Sequence, residues 1–260
     1  MLRFLFLLIV VFCSKGLVAQ EKLGCDYPKA DFGNHEYLKY KVSYNFGFIW
    51  IDAGNVDFKA DRVTYKGKDV YHFLSTGISE KKWEWIYKVR DTFQVYSKVG
   101  SLEPIDFERT TLEGSVYNKD RYHFDFERNI VHANLNDFNR DFKTLSLPIS
   151  ECTFDILTAT YVTRAMDFSK SWVGDTIPLK LIHDGRLFTM PIVFRGNETI
   201  QINDNESVKC IKFSAIIDKG TMFRSGEKIT VWVTDDQFKV PVLIEAKIVV
   251  GSIKVYLTGR

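Results

Sequence analysis

Two adjacent carboxylates, Asp235 and Asp236, stand between the apolar runs of VWVTDDQFKVPVLIEAKIVV. Such a pair could bind a divalent cation or divide the roles of acid and base. One adjacent pair supplies too few oxygens for calcium, however, so other carboxylates would have to converge on it. Asp is also favoured where a strand runs out, because its short side chain accepts bonds from nearby backbone N–H groups. The spacing therefore predicts the corner of a hairpin. The histidines are His35, His72, His123, His132 and His183. His123 and His132 flank Arg128-Asn129 and could face each other across a turn, which makes two ligands without a third. The chain contains no HExxH pair, no GxSxG elbow and no glycine-rich phosphate loop followed by Lys. These patterns call for no metal and no cofactor. Carboxylate pairs of the glycosidase kind, assembled from distant strands, leave no local motif and stay open.

Aromatic residues offer a different chemistry. In Lys81-Lys82-Trp83-Glu84-Trp85-Ile86-Tyr87 the rings of Trp83, Trp85 and Tyr87 alternate along what reads as a strand. A row of this kind can stack on a sugar, line an apolar groove, or simply fill a core. Aromatic residues make up 15% of the chain, enough for a broad apolar interior face that could leave a ligand-sized hollow. The loop KGTMFRSGE carries Met222 and Phe223, which either touch a membrane or partner protein or fold back on their own hairpin. Beyond residue 20 the cysteines are Cys25, Cys152 and Cys210; a Cys152–Cys210 bridge and buried free thiols both remain open.

The elements that must position these groups begin after residue 20. Arg3, the apolar run Phe4 to Phe12 and the exit Val18-Ala19-Gln20 have the layout of a secretory signal peptide, and the run is too short to span a bilayer. Export to a bacterial periplasm is expected, with no transmembrane segment in the mature chain. Removing residues 1 to 20 takes away Arg3 and Lys15 and no acids. The 35 basic residues then become 33 against 33 acidic ones, a formal charge of zero. Interspersed neutral charge gives no electrostatic argument for nucleic acid or anionic lipid.

Alternation dominates the remainder. In YLKYKVSYNFGFIWIDAG, Tyr40, Val42, Tyr44, Phe46, Phe48 and Trp50 recur at every second position, which places large apolar groups on one strand face. The period returns in VTYKGKDVYHFLSTG, with a turn at Gly67-Lys68-Asp69. It returns again in GSVYNKDRYHFDFERNIVHANL, with corners expected at Asn118-Lys119-Asp120 and Arg128-Asn129. Asp184-Gly185 and Gly251-Ser252 are further hairpin signals. One segment breaks the period. After Pro148, Phe154, Leu157, Tyr161, Ala165 and Phe168 fall at spacings of three, four, four and three, which predicts a helix over about 153–168 whose stripe packs on the sheet. The expected fold is mainly β: a large curved antiparallel sheet or open half-barrel with one principal α-helix. Residues 1–20 would be a signal peptide, 21–35 a lead segment, and 36–260 one domain, with two β-lobes either side of the helix as the alternative.

Together these stretches resemble the family of exported bacterial envelope proteins catalogued as domain of unknown function 3108. The opening EYLKYKVSYNFGFIWIDAG is similar to the family's G-E-x-L-x-Y-x-V-x-Y start followed by Ala-Gly, with Asn34-His35-Glu36 replacing the usual Gly-Glu. YKVRDTFQVYSKVGSLEPIDFERTTLEGSVYNKDRYHFDF resembles its central section. FDILTATYVTRAMDF resembles its helix, which ends near an Arg, here Arg164. The close, VWVTDDQFKVPVLIEAKIVVGSIKVYL, resembles its Trp-x-x-Asp-Asp ending. The resemblance implies an exported, mainly antiparallel β protein and carries over no catalytic residues. A looser analogy of fold connects it to periplasmic lipoprotein carriers.

The leading expectation is a non-enzymatic periplasmic protein with a hydrophobic small molecule or lipid in a groove between sheet and helix. Its lining would be Tyr44, Phe46, Phe48, Trp50, Trp83, Trp85, Leu157 and Tyr161. The alternatives are a scaffold subunit of an outer-membrane assembly, holding an envelope protein partner through the Met222-Phe223 loop, and a glycan or lipid hydrolase.

Overall fold

The computed structural model describes residues 31 to 46, 48 to 137, 142 to 203, 206 to 216, 228 to 247 and 251 to 260. The expected leader, 1–20, and Met222 with Phe223 lie outside the described residues. The chain first forms β1 (His35–Phe46), β2 (Ile49–Tyr65), β3 (Lys68–Ser79), β4 (Val89–Lys98), β5 (Pro104–Glu113), β6 (Val116–Asp125), β7 (Ile130–Asp137) and β8 (Lys143–Pro148). A short β9 (Thr153–Phe154) leads into α1 (Ile156–Ala165). After it come β10 (Thr176–His183), β11 (Arg186–Asn203), β12 (Glu206–Ile216), β13 (Lys228–Thr234), β14 (Pro241–Lys247) and β15 (Ser252–Gly259).

These strands form one sheet in the order β8-β7-β6-β5-β4-β3-β2-β1-β15-β14-β13-β12-β11-β10-β9. Two meanders are thus joined where β1 pairs with β15, and the strands before and after the helix share one continuous sheet. Every pairing is antiparallel except the parallel contact of Lys180 and Leu181 with Thr153 and Phe154. Alternation builds the inner face. Ala60, Phe73, Val95, Phe107, Tyr122 and Ala133 lie directly opposite one another across successive strands, and all are buried. Cross-strand rows of this kind are the unit that stabilises a sheet.

The helix fills the hollow of the curve. Asp155 caps it, accepting from the backbone N–H of Leu157 and Thr158 at 2.9 Å each and from the Thr158 hydroxyl at 2.6 Å. It ends where Met166 turns extended, with ψ 142°. Phe154 and Phe168, expected in the helix, lie just outside it: the first pairs with β10 and the second stacks on Phe194 and Phe213. Eight of the ten helical residues are buried, so the helix is covered all round rather than along one stripe. Its polar groups are met internally. Thr163 donates to the Ala159 carbonyl, and Arg164 forms a two-pronged pair with Glu36 at 2.7 and 2.8 Å while also donating to the Phe238 carbonyl. That pair ties the helix end to β1 and to the β13–β14 connection.

The sheet is not a hydrogen-bonded barrel; β8 and β9 are its edges. Its ends approach through side chains instead. The β10–β11 turn, with Asp184 and Gly185 at φ 49° and 67°, docks on the inner face of β5 to β8. Gly185 N–H donates to the Tyr122 hydroxyl at 3.1 Å, and a Cβ on Gly185 would stand 2.7 and 2.8 Å from Leu135 and Leu145. Only glycine fits there.

Two local expectations change. Asn118-Lys119-Asp120 lies inside β6, because Asp120 is needed inside against Arg109; the turn falls at Gly114-Ser115. Trp83, Trp85 and Tyr87 belong to no strand. Lys81–Trp83 form a short 3-10 turn, and the chain rolls over the sheet end, with the Trp83 carbonyl accepting from Ile86 and Tyr87.

Candidate functional site

In a meander every second connection falls at the same end of the sheet. One end therefore carries the β1–β2 turn, the 80–88 loop, the Gly114-Ser115 turn and the β14–β15 connection at Gly251. The 80–88 loop is pinned by three bonds: Glu80 N–H to the Ala53 carbonyl at 2.8 Å, Trp83 Nε1 to the Asp52 carbonyl at 2.9 Å, and Gly114 N–H to the Lys88 carbonyl at 2.8 Å. Arg90 closes its base on Glu84. With the backbone so held, the side chains that follow are left outward. Trp85 is 81% exposed and Ile86 and Tyr87 are also exposed; beside them the β1–β2 turn presents a fully exposed Phe48, Ile49 and Trp50. The Tyr87 ring lies over Gly114, where a Cβ would meet it at 3.1 Å. The exposed aromatics of two neighbouring connections thus form a row that reaches a third at Gly114, roughly 20 Å long at the usual spacing of neighbouring strands.

Charge follows a pattern at this end. Asp52 holds Lys41 at 2.9 Å, Glu245 holds Lys254 at 2.7 Å, and Glu80 accepts from Asn55 at 3.0 Å. Lys254 also stands 5.2 Å above the Trp50 ring. Lys81, Lys82, Lys88 and Lys247 are exposed and have no ion-pair partner among the described residues. Asp91 and Glu113 stand behind Tyr87, and burial, reinforced by Glu113, pushes the Asp91 carboxyl up to about 6.

The residues expected to line a groove separate into two places. Phe48, Trp50 and Trp85 are exposed at the aromatic end, Trp83 is half-buried in the same loop, and Tyr44 packs nearby beside Gly251. Phe46 closes β1 opposite Ile49. Leu157 and Tyr161, by contrast, are core. The Phe73 ring stacks on Tyr161 at 3.7 Å between centroids and Phe32 meets its edge at 5.0 Å, so side chains occupy the space beside the helix where a ligand was expected. A shallow cleft of about 320 Å³ between β11 and the β14–β15–β1 region contains none of the eight.

The carboxylates resolve differently. Asp236 Oδ1 accepts from the N–H groups of Phe238 and Lys239 and from the Thr234 hydroxyl, which makes it a turn residue. Asp235 Oδ2 accepts from Asn197. No group of three or more metal-ligating side chains occurs among the described residues. His123 and His132 do face each other across β6 and β7, yet His123 is taken by Asp106 at 2.7 Å and His132 by Ser146 at 2.9 Å. Cys152 is disulfide-bonded and Cys210 is a buried free thiol, so they do not bridge each other. Sequence reasoning missed a buried cluster at the seam. Arg109 lies against Asp120 at 2.6 Å, donates to His183 Nε2 at 3.0 Å and contacts Asp184. Burial and the neighbouring Arg109 push the His183 pKa down, which keeps its imidazole an acceptor. The partners come from segments some 75 residues apart and left no local signal.

Compared with known proteins, residues 39–258 match the family described as protein of unknown function (DUF3108). No curated protein matches the chain. Among solved structures it is similar to the crystal structure of a β-barrel-like protein of domain of unknown function DUF1849 from Brucella abortus, with a TM-score of 0.57 and 9% identity. That match covers 86% of this chain and 95% of the other. At this identity the likeness concerns the fold alone.

Proposed function

The chain belongs to the DUF3108 family, whose function is unknown, and from that premise we propose that it is an exported, non-enzymatic binding protein that engages a hydrophobic, lipid-like group with the aromatic end of its sheet. Residues 1–20 act as its leader, the mature protein works in the periplasm, and 36–260 form its working domain. The observation that carries this reading is the exposure of Phe48, Ile49, Trp50, Trp85, Ile86 and Tyr87 on neighbouring connections, with the backbone of the 80–88 loop firmly bonded to the sheet. Scattered apolar residues on a surface need no explanation, but a contiguous row of large ones marks a contact. Held backbones also mean that little ordering entropy is lost on contact. The filled interior favours the outer end over a groove beside the helix.

Titrating the purified protein with lysophosphatidylcholine below its micellar concentration tests the reading by tryptophan fluorescence. The emission should shift to the blue and saturate, and Phe48→Ser with Trp85→Ser should abolish most of the shift. A titration without change, or one indifferent to those substitutions, would refute the aromatic end as the site.

A further inference from the structure

We infer that the aromatic end docks on a bilayer surface bearing anionic headgroups, standing the sheet end-on to the membrane; this rests on the proposed lipid-like partner and names the form in which it is met. The argument is charge complementarity around the apolar row. Lys81, Lys82 and Lys88 belong to the same loop as Trp85, Ile86 and Tyr87, and Lys247 lies at the same end, where β14 gives way to β15. All four are exposed without an ion-pair partner among the described residues, while Asp52, Glu84 and Glu245 at that end are each neutralised by a cation. Glu80, which accepts from Asn55 and has no ion-pair partner among the described residues, Asp91 and Glu113 are the opposing charges, three against the four lysines. Asp91 faces the sheet interior opposite Gly77 and is half-buried, so the outward field remains positive.

Large apolar tips flanked by lysines suit the bilayer boundary, where tryptophan and tyrosine sit at headgroup depth and lysine reaches the phosphates. The shape agrees with this. The apolar groups come from successive connections at a single sheet end, so they can enter a plane together, whereas a small soluble ligand would need a concavity. Each lysine near an anionic leaflet strengthens binding roughly fivefold, and three of them by on the order of a hundredfold.

The test is flotation of the purified full chain with vesicles of phosphatidylcholine alone and of phosphatidylcholine mixed with phosphatidylglycerol, at low and at molar salt. Binding should be strong on the mixed vesicles, weak on the neutral ones and reduced by salt. Combined Lys81→Gln, Lys82→Gln and Lys88→Gln substitutions should lower it on the order of a hundredfold. Those residues are exposed, so the variant keeps its fold, which circular dichroism checks. Equal binding to both vesicles, or no effect of the glutamines, would overturn the anionic surface while leaving the lipid-like partner standing. Binding to neither vesicle with lysophosphatidylcholine still bound would overturn the bilayer, and binding to no lipid form would overturn both.

Discussion

Replacing Asp155 by Asn isolates one buried charge at the cap of the central helix. The side chain is fully buried and accepts from Leu157 N–H, Thr158 N–H and the Thr158 hydroxyl. Burial outweighs those bonds and pushes its pKa up to about 6, from 3.8 when free. A carboxyl whose folded pKa is raised stabilises the fold fully below its unfolded pKa, and that contribution is lost as pH rises through the folded value. About two pK units correspond to on the order of 3 kcal/mol, lost between about pH 4 and pH 6. Asn keeps a cap acceptor without the charge. Asp155→Asn should therefore gain on the order of 3 kcal/mol relative to wild type between about pH 4 and pH 7, whatever other groups titrate in both proteins. Urea unfolding across that range measures the difference at each pH. A difference that stays flat would show that Asp155 is not held as a desolvated carboxyl, and the account of the cap would be wrong. Asp155→Ala removes the acceptor as well and should be about 1–2 kcal/mol less stable than Asp155→Asn at every pH.

Arg164→Met leaves Glu36 buried without its partner and should cost about 3–5 kcal/mol in denaturant unfolding, with Glu36→Gln added to it recovering part of the loss. Gly185→Ala forces a side chain into Leu135 and Leu145 at a positive φ and should cost about 2 kcal/mol. Hydrogen exchange should then rise first in β7, β8 and the β10–β11 turn; uniform exchange would mean that the seam is not closed there. Thiol labelling of the native protein should leave Cys210 unmodified until unfolding and Cys152 unmodified until reduction.

Strand alternation made the sheet legible, because a period of two survives wherever one face is buried, and it marked β1, β3, β6 and β7, although a corner was expected inside β6. The helix was equally legible, with its ends off by a few residues because Asp155 caps inside the predicted span and Phe154 is drawn into the sheet. The direction in which the aromatics point was not legible. Trp83, Trp85 and Tyr87 have strand spacing, but their backbone is bent by bonds to Ala53 and Asp52 more than twenty residues earlier. Phe48 and Trp50 continue the alternation of β1, yet the chain reverses between them and the inner face. Leu157 and Tyr161 read as lining because a stripe suggested a half-covered helix, whereas the sheet curls until the helix is covered on every side. The lysines beside the tryptophans were visible in KKWEWIYK, and only the folded pairing of the surrounding acids shows that they are left over.

The most direct test of the lipid-binding account is native mass spectrometry of the protein purified gently from its own cells, beside the Phe48→Ser, Trp85→Ser variant. The account predicts an adduct of lipid mass on the wild type that is missing from the variant. A clean apo mass for the wild type, or an adduct held equally by both, would contradict it.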